Sequence, residues 1–259
     1  MDMGLEGRKV LITGASQGIG EGLARSFAAE GCELFLVARS ADKLAAVAAA
    51  AREQHGVRVH TLPIDMTVSG ALDAVMSFAE GADVLVNNAG NIPGGNLWDV
   101  DEAAWRQGWE LKVFGYINLT RAMYAAMKRR GGGVILNNIG NGGENFDFNY
   151  IAGSTGNAAL MAFTRALGGR SLDDRIRVLG VNPGPVDTDR IKKVLRSHAQ
   201  RVLGDAARSA ELLSAYPLGR PATVAEVADL FVYLASDRSA YTSGVIITVD
   251  GGLTSKRSV

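Results

Sequence analysis

Eight residues, Thr13-Gly14-Ala15-Ser16-Gln17-Gly18-Ile19-Gly20, form the clearest chemical signal in the chain. They follow the apolar run Val10-Leu11-Ile12 and lead into a helix-like stretch, Leu23 to Ala29. A strand, a glycine turn and a helix in that order aim backbone N–H groups and the helix dipole at one point above the turn, where an anion is stabilised. The glycines let the chain bend sharply and let a pyrophosphate approach the backbone. A tight turn alone would also use glycine. The flanking strand and helix favour a dinucleotide site.

The bulk properties exclude several other classes. The 259 residues carry 27 Lys and Arg against 27 Asp and Glu, so nothing in the charge balance points to nucleic acid or an anionic membrane surface. The single cysteine, Cys32, has no internal disulfide partner and reads as a small packed residue. No apolar run approaches the length of a membrane span. The N-terminal MDMGLEGRKV lacks the apolar core of a signal peptide, and the expectation is a cytoplasmic protein. No metal site is assigned.

The elements that must position the turn alternate regularly. Apolar runs at Lys9–Thr13, Glu33–Ala38, Arg58–Leu62, Asp83–Asn87, Gly133–Asn138, Ile176–Val181 and Val245–Val249 are rich in Val, Ile and Leu without polar alternation. That pattern marks strands buried on both faces of a parallel sheet. Helical stretches such as Ala41–Glu53, Glu102–Arg130, Ala158–Gly168 and Val224–Ala235 lie between them. The spacing predicts a single-domain α/β Rossmann fold over residues 1–259, a doubly wound parallel sheet of about seven strands with helices on both faces. Asp187 to Pro221 is too long for a plain connection and reads as helices on a substrate flap. Its Lys192, Lys193, Arg196, Arg201 and Arg208 would either meet an acidic substrate or form a solvated helix face.

The ordered motifs resemble those of the short-chain dehydrogenase/reductase (SDR) family over nearly the whole chain. Thr13–Gly20 fits its TGxxxGxG turn, Asp65 its adenine-binding Asp, and Asn87-Asn88-Ala89-Gly90 its NNAG segment. Pro183-Gly184 followed by Thr188 fits PGxxxT, and Ser243-Gly244 through Asp250-Gly251-Gly252 fits the last strand. The resemblance implies a nicotinamide-binding domain, often assembled as a homotetramer or dimer. It assigns the cofactor to Gly14, Ser16, Gln17, Gly18, Ile19 and Gly20 in the turn, and to Asp65 and Met66 after the third strand. Asn88, Ala89 and Gly90 follow the fourth strand, and Pro183, Gly184, Val186 and Thr188 the sixth. At the end of the second strand, where NAD-specific enzymes place a carboxylate for the ribose 2′-OH, stand Ala38 and Arg39. A guanidinium there can bind a 2′-phosphate, which favours NADP(H) over NAD(H).

The reactive positions depart from the family pattern. The family works with Asn, Ser, Tyr and Lys, the last two four residues apart on one helix. No YxxxK is present; Tyr150-Ile151-Ala152-Gly153-Ser154 comes nearest. Counting back from Pro183-Gly184 through Ile176-Arg177-Val178 and Thr164–Leu167 puts Gly153 at the Tyr position and Asn157 at the Lys position. It also puts Gly140 at the Ser position and Lys112 at the Asn position. Lys and Asn thus look exchanged between 112 and 157. Asn157 would still reach the cofactor ribose, while the Lys112 ammonium would take on acid–base work or else snorkel to solvent or bond helix carbonyls. Tyr150, three residues before Gly153 and displaced by about 4.5 Å along an ideal axis, would line the pocket, pack, or supply the proton. The catalytic candidates are therefore Lys112, Asn157 and Tyr150. Glu144 and Asp147 read as solvated loop carboxylates or general bases.

Two classes of function compete. One is an NADP(H)-dependent oxidoreductase with a rebuilt proton-transfer site, acting on a small, apolar carbonyl, imine or enoyl compound bordered by Trp98, Phe146, Phe148 and Tyr150. The other is a protein that keeps the cofactor without net redox turnover, as a sensor, a structural partner, or a lyase or isomerase.

Overall fold

The computed structural model describes residues 2–258, the side chains of 257 and 258 excepted. Seven strands form one parallel sheet: β1 (Lys9–Thr13), β2 (Glu33–Ala38), β3 (Val59–Pro63), β4 (Val84–Asn87), β5 (Gly133–Asn138), β6 (Ile176–Pro183) and β7 (Ile246–Val249). Their spatial order is β3-β2-β1-β4-β5-β6-β7. All six residues of β2 and all eight of β6 are buried, as two covered faces require. Alternation along each strand divides the core. Val10, Ile12, Leu34 and Leu36 pack on one side; Leu11, Phe35, Val37 and Leu85 pack on the other.

Helices α1 (Gly18–Ala29), α2 (Ala41–His55) and α8 (Val224–Ala235) cover the first face. The second carries α3 (Ala71–Phe78) and α5 (Gly115–Arg130). α8 starts in a full capping box between Thr223 and Glu226. It ends on Arg177 of β6, a buried guanidinium that donates to the carbonyls of Leu234, Ala235 and Ser236 and to Ser239 Oγ. These groups include the carbonyls that a helix end leaves without partners.

The strand order reverses between β1 and β4, so the chain leaves the carboxyl ends of these two strands in opposite directions. The crevice that results is the ligand-binding place of open α/β sheets. Thr13, Ala38, Pro63, Asn87, Asn138 and Pro183, the last residues of β1 to β6, all end along this edge. Every sequence-predicted site residue lies at or just beyond a strand end, in the first turn of α1, on the continuation of α4 (Glu102–Trp109), on or immediately before α6 (Ile151–Gly168), or on the approach to α7 (Asp189–Leu203). The predicted helix Glu102–Arg130 is continuous but holds one π turn, Glu110–Phe114, between α4 and α5. The helix expected from Ala158 begins seven residues earlier, at Ile151. Among the described residues no helix is long and apolar enough to cross a membrane.

Candidate active site

The glycine turn is built for close approach. Gly14 has φ +66°, and a Cβ there would come within 2.8 Å of Ala89 Cα. A Cβ on Gly20 would stand 2.1 Å from the Gly14 carbonyl oxygen. Thr13 Oγ1 accepts the N–H groups of Asn88 and Ala89, and Asn88 Nδ2 donates to the carbonyls of Thr13 and Gly14. Asn88 Oδ1 accepts from Asn138 Nδ2 at 2.7 Å. The Asn88 side chain is thus spent on holding the turn against β4, and what it leaves for a ligand is backbone. Thr188 closes the far side, its Cγ2 lying 3.3 Å from a Cβ built on Gly18. Pro183 and Gly184 follow at the end of β6, and the buried Val186 bridges to Ala222.

At the outer end, Arg39 is exposed and its Nη1 lies 3.9 Å from the Asp65 carboxylate. Asp65 accepts the backbone N–H and the hydroxyl of Thr67, and these bonds, with the Arg39 charge, hold its carboxyl below the usual range. Met66, beside it, packs its side chain against the second core face. Gln17, the residue preceding α1, accepts from Lys43 Nζ at 3.0 Å. Ser16 and Ile19 are partly buried within the turn.

The reactive end contains a rearrangement. Tyr150 precedes α6 with non-helical backbone (φ −140°, ψ 38°), and its ring lies directly over Gly153. A Cβ on Gly153 would fall 1.9 Å from Tyr150 Cζ. The place where a side chain at 153 would leave the helix is therefore filled by the Tyr150 phenol. Arg190 Nη2 donates to that phenol oxygen at 3.2 Å and to the Ile92 carbonyl at 3.3 Å.

Lys112 sits in the π turn, where wide helical geometry often marks a functional position. Its methylenes lie over Gly90, with Cδ 2.9 Å from a Cβ built there, and its ammonium donates to the Ile139 carbonyl at the end of β5. Burial, and secondarily the charge of Arg190, push its pKa down to about 7. The ammonium bonds a backbone carbonyl, at a strand end rather than within a helix. Asn157 is 2% exposed and its Nδ2 faces Gly140, 3.2 Å from a Cβ built there. Its Oδ1 is buried without a hydrogen-bond partner. Lys112 and Asn157 therefore both reach the short Ile139–Gly142 segment.

Glu144 departs from the expectation of a solvated carboxylate. It is largely covered and accepts from Thr248 Oγ1 of β7 at 2.8 Å, with Arg165 3.9 Å away. Packing of the loop against β7 covers this carboxylate more than the sequence reading expects. Asp147 is exposed and accepts from the Asn149 N–H.

The family model described as enoyl-(acyl carrier protein) reductase matches residues 14–254. The 7alpha-hydroxysteroid dehydrogenase of Escherichia coli (strain K12) is 30% identical over 252 residues, 96% of this chain and 94% of that protein. The chain belongs to the short-chain dehydrogenase/reductase family. The 3-oxoacyl-acyl-carrier-protein reductase of Escherichia coli (strain K12) is 31% identical to this SDR over 97% of it and 99% of the relative. A structure of L-sorbose reductase from Gluconobacter frateurii complexed with NADPH and L-sorbose superposes with a TM-score of 0.90 at 35% identity, covering 98% of this SDR and 99% of that chain.

Two cations of this SDR escaped the sequence reading. Arg190 was passed over among the flap's basic residues, yet it is the one that bonds to Tyr150; Lys192 instead pairs with Asp187 at 3.4 Å and Arg208 with Glu211 at 2.7 Å. Its signal was position, two residues after Thr188 in the first turn of a helix. Lys43, four residues beyond Arg39 on α2, carries a second positive charge towards the glycine turn.

Proposed function

We propose that this SDR is an NADP(H)-dependent oxidoreductase of small carbonyl, imine or enoyl compounds in which Lys112 and Tyr150 replace the usual proton-transfer groups. The observation that carries this reading is the Tyr150 ring lying over Gly153, which puts a phenol back where the register leaves a glycine. The cofactor assignment is supported by the NADPH complex of L-sorbose reductase and by Arg39 where a carboxylate would repel a 2′-phosphate.

The residues present fit the cofactor. Gly14, Gly18 and Gly20 leave a backbone surface that any Cβ would fill, and the buried Asn157 Oδ1 lacks the donor that a ribose hydroxyl provides. Arg39 and Lys43 would hold the 2′-phosphate, Asp65 and Met66 would border the adenine, and Pro183, Gly184, Val186 and Thr188 would border the nicotinamide. The bound cofactor supplies the hydride. Tyr150 holds a proton at its phenol oxygen for the substrate oxygen, and Arg190 fixes that oxygen's position. Lys112, poised near neutrality, takes up or releases a proton at the strand end. Residues 187–221 form the flap over the substrate, and Trp98, Phe146 and Phe148 shape its apolar side. Assembly as a homotetramer or dimer belongs to the same reading.

Fluorescence titration with NADPH and NADH, followed by an NADPH-oxidation screen over ketones, 2-oxo acids, imines and enoyl thioesters, tests the proposal. Tight NADPH binding with oxidation by at least one class supports it; binding without oxidation across the panel refutes it.

A further inference from the structure

Two cations meet at the reactive end with no anion between them. Lys112 bonds only to the Ile139 carbonyl, and Arg190 only to the Ile92 carbonyl and the Tyr150 hydroxyl. Among the described residues no carboxylate forms an ion pair with either. Several acids in these segments are otherwise engaged: Glu144 with Thr248, Asp147 with the Asn149 N–H, Asp99 with the Asn96 N–H and Asp187 with Lys192; Asp189, beside Arg190 at the start of α7, is exposed to solvent. The charge of Arg190 contributes to the depressed pKa of Lys112, so the two groups sense one another. The guanidinium is exposed at the mouth of the site, and its Nε and Nη1 make no hydrogen bond. Nη2 is held by Ile92 and Tyr150, so a carboxylate would take a charge-assisted bond from the free Nη1 or Nε.

The position of the guanidinium narrows the ligand further. Arg190 Nη2 and the Tyr150 oxygen are 3.2 Å apart. A molecule that gives its carbonyl oxygen to Tyr150 and a carboxylate to Arg190 must carry the two groups side by side. Adjacent carbons achieve this; a carboxylate several bonds away would overshoot. Beside the mouth, Trp98 is 80% exposed and Phe148 59% exposed, with ring centroids 6.2 Å apart, an apolar ledge suited to a flat body.

We propose that the substrate is a 2-oxo acid, or the corresponding 2-hydroxy acid, with an aryl body, and that Arg190 is the residue that selects its carboxylate. This rests on the reading of Tyr150 as the group that meets the substrate carbonyl. A charge-assisted bond to the guanidinium should separate the acid from its neutral ester by about tenfold or more in affinity.

The test is calorimetric titration of the NADP⁺-loaded protein with phenylglyoxylate and with methyl phenylglyoxylate, a complex in which no hydride is available and binding is read alone. The acid should bind about tenfold or more tightly than the ester. Arg190→Met should abolish the preference for the acid over the ester, with circular dichroism and retained NADP⁺ binding showing that the variant is folded; Arg190→Lys should retain part of the preference. Carboxylate binding should also raise the Lys112 titration midpoint seen by NMR in ¹³C-labelled lysine. Equal binding of acid and ester overturns the proposal, and so does binding of neither at millimolar concentration. If Arg190→Met weakens NADP⁺ binding and spares the acid preference, the guanidinium serves the cofactor and the proposal fails. Failure of the cofactor reading is distinct, because NADPH fluorescence titration of the unliganded protein then shows no binding.

Discussion

Replacing Gly153 by Ala adds one methyl group where the Tyr150 ring now lies. Cζ, Cε1 and Cε2 of Tyr150 stand 1.9, 2.1 and 2.5 Å from that methyl position, whereas carbon atoms in contact settle at about 3.5–4 Å. The ring must retreat by about 1.5 Å or more, which takes the phenol off Arg190. Overpacking of this kind costs about 1–3 kcal/mol. With the ring absent, in Tyr150→Ala, the same change is an ordinary glycine replacement inside α6 and stabilises by about 0.5–1 kcal/mol. A double-mutant cycle in urea should therefore give a coupling of about 1.5–4 kcal/mol between positions 150 and 153. If Gly153→Ala stabilises both backgrounds equally, the ring does not occupy that space, and the argument that Tyr150 replaces a side chain at 153 is refuted.

Three further outcomes are expected. Lys112 has a lower pKa folded than unfolded, about 7 against 10.5, so between those values the unfolded chain binds more protons and stability rises with pH across that window. Lys112→Met should flatten the rise in pH-dependent urea unfolding, and should remove a titration near neutrality from kcat/KM. Arg39→Ser should weaken NADPH binding by about tenfold or more and leave NADH affinity unchanged, with a smaller effect from Lys43→Ala, both read by fluorescence titration. Arg177→Met removes a buried donor from the carbonyls of Leu234, Ala235 and Ser236, leaving that of Ala235 without a partner, and should cost about 3 kcal/mol in the same urea assay.

Local signals carried most of the fold. β1, the glycine turn and α1 are contiguous, so their chemistry is written in one stretch of chain, and the double-sided burial of β2 and β6 shows as the apolar runs Leu34–Ala38 and Val178–Val181. The start of α6 was hidden because Gly153 and Gly156 lower its helix propensity, while packing keeps it helical: Trp109 Nε1 donates to the Ala152 carbonyl, and Val113 and Ile92 crowd Gly156. The π turn at Lys112 leaves no trace in an apolar pattern. Counting from downstream anchors brought Lys112 and Asn157 to one segment, but it could not show that Asn157 keeps an unpartnered oxygen or that Lys112 bonds Ile139. Arg190 was illegible for a stronger reason. Its partners lie 40 and 98 residues away, and only the return of the chain after β6 sets it against them. Glu144 was misread because its loop folds back onto β7.

The account stands on hydride chemistry assisted by Lys112 and Tyr150. The most direct test is the single-turnover rate of NADPH oxidation by stopped-flow, with the best carbonyl of the panel, in the wild type, Lys112→Met and Tyr150→Phe. The account predicts oxidation in the wild type and a loss of about 10²-fold or more in each variant, with NADPH affinity retained. Wild-type rates in both variants would contradict it.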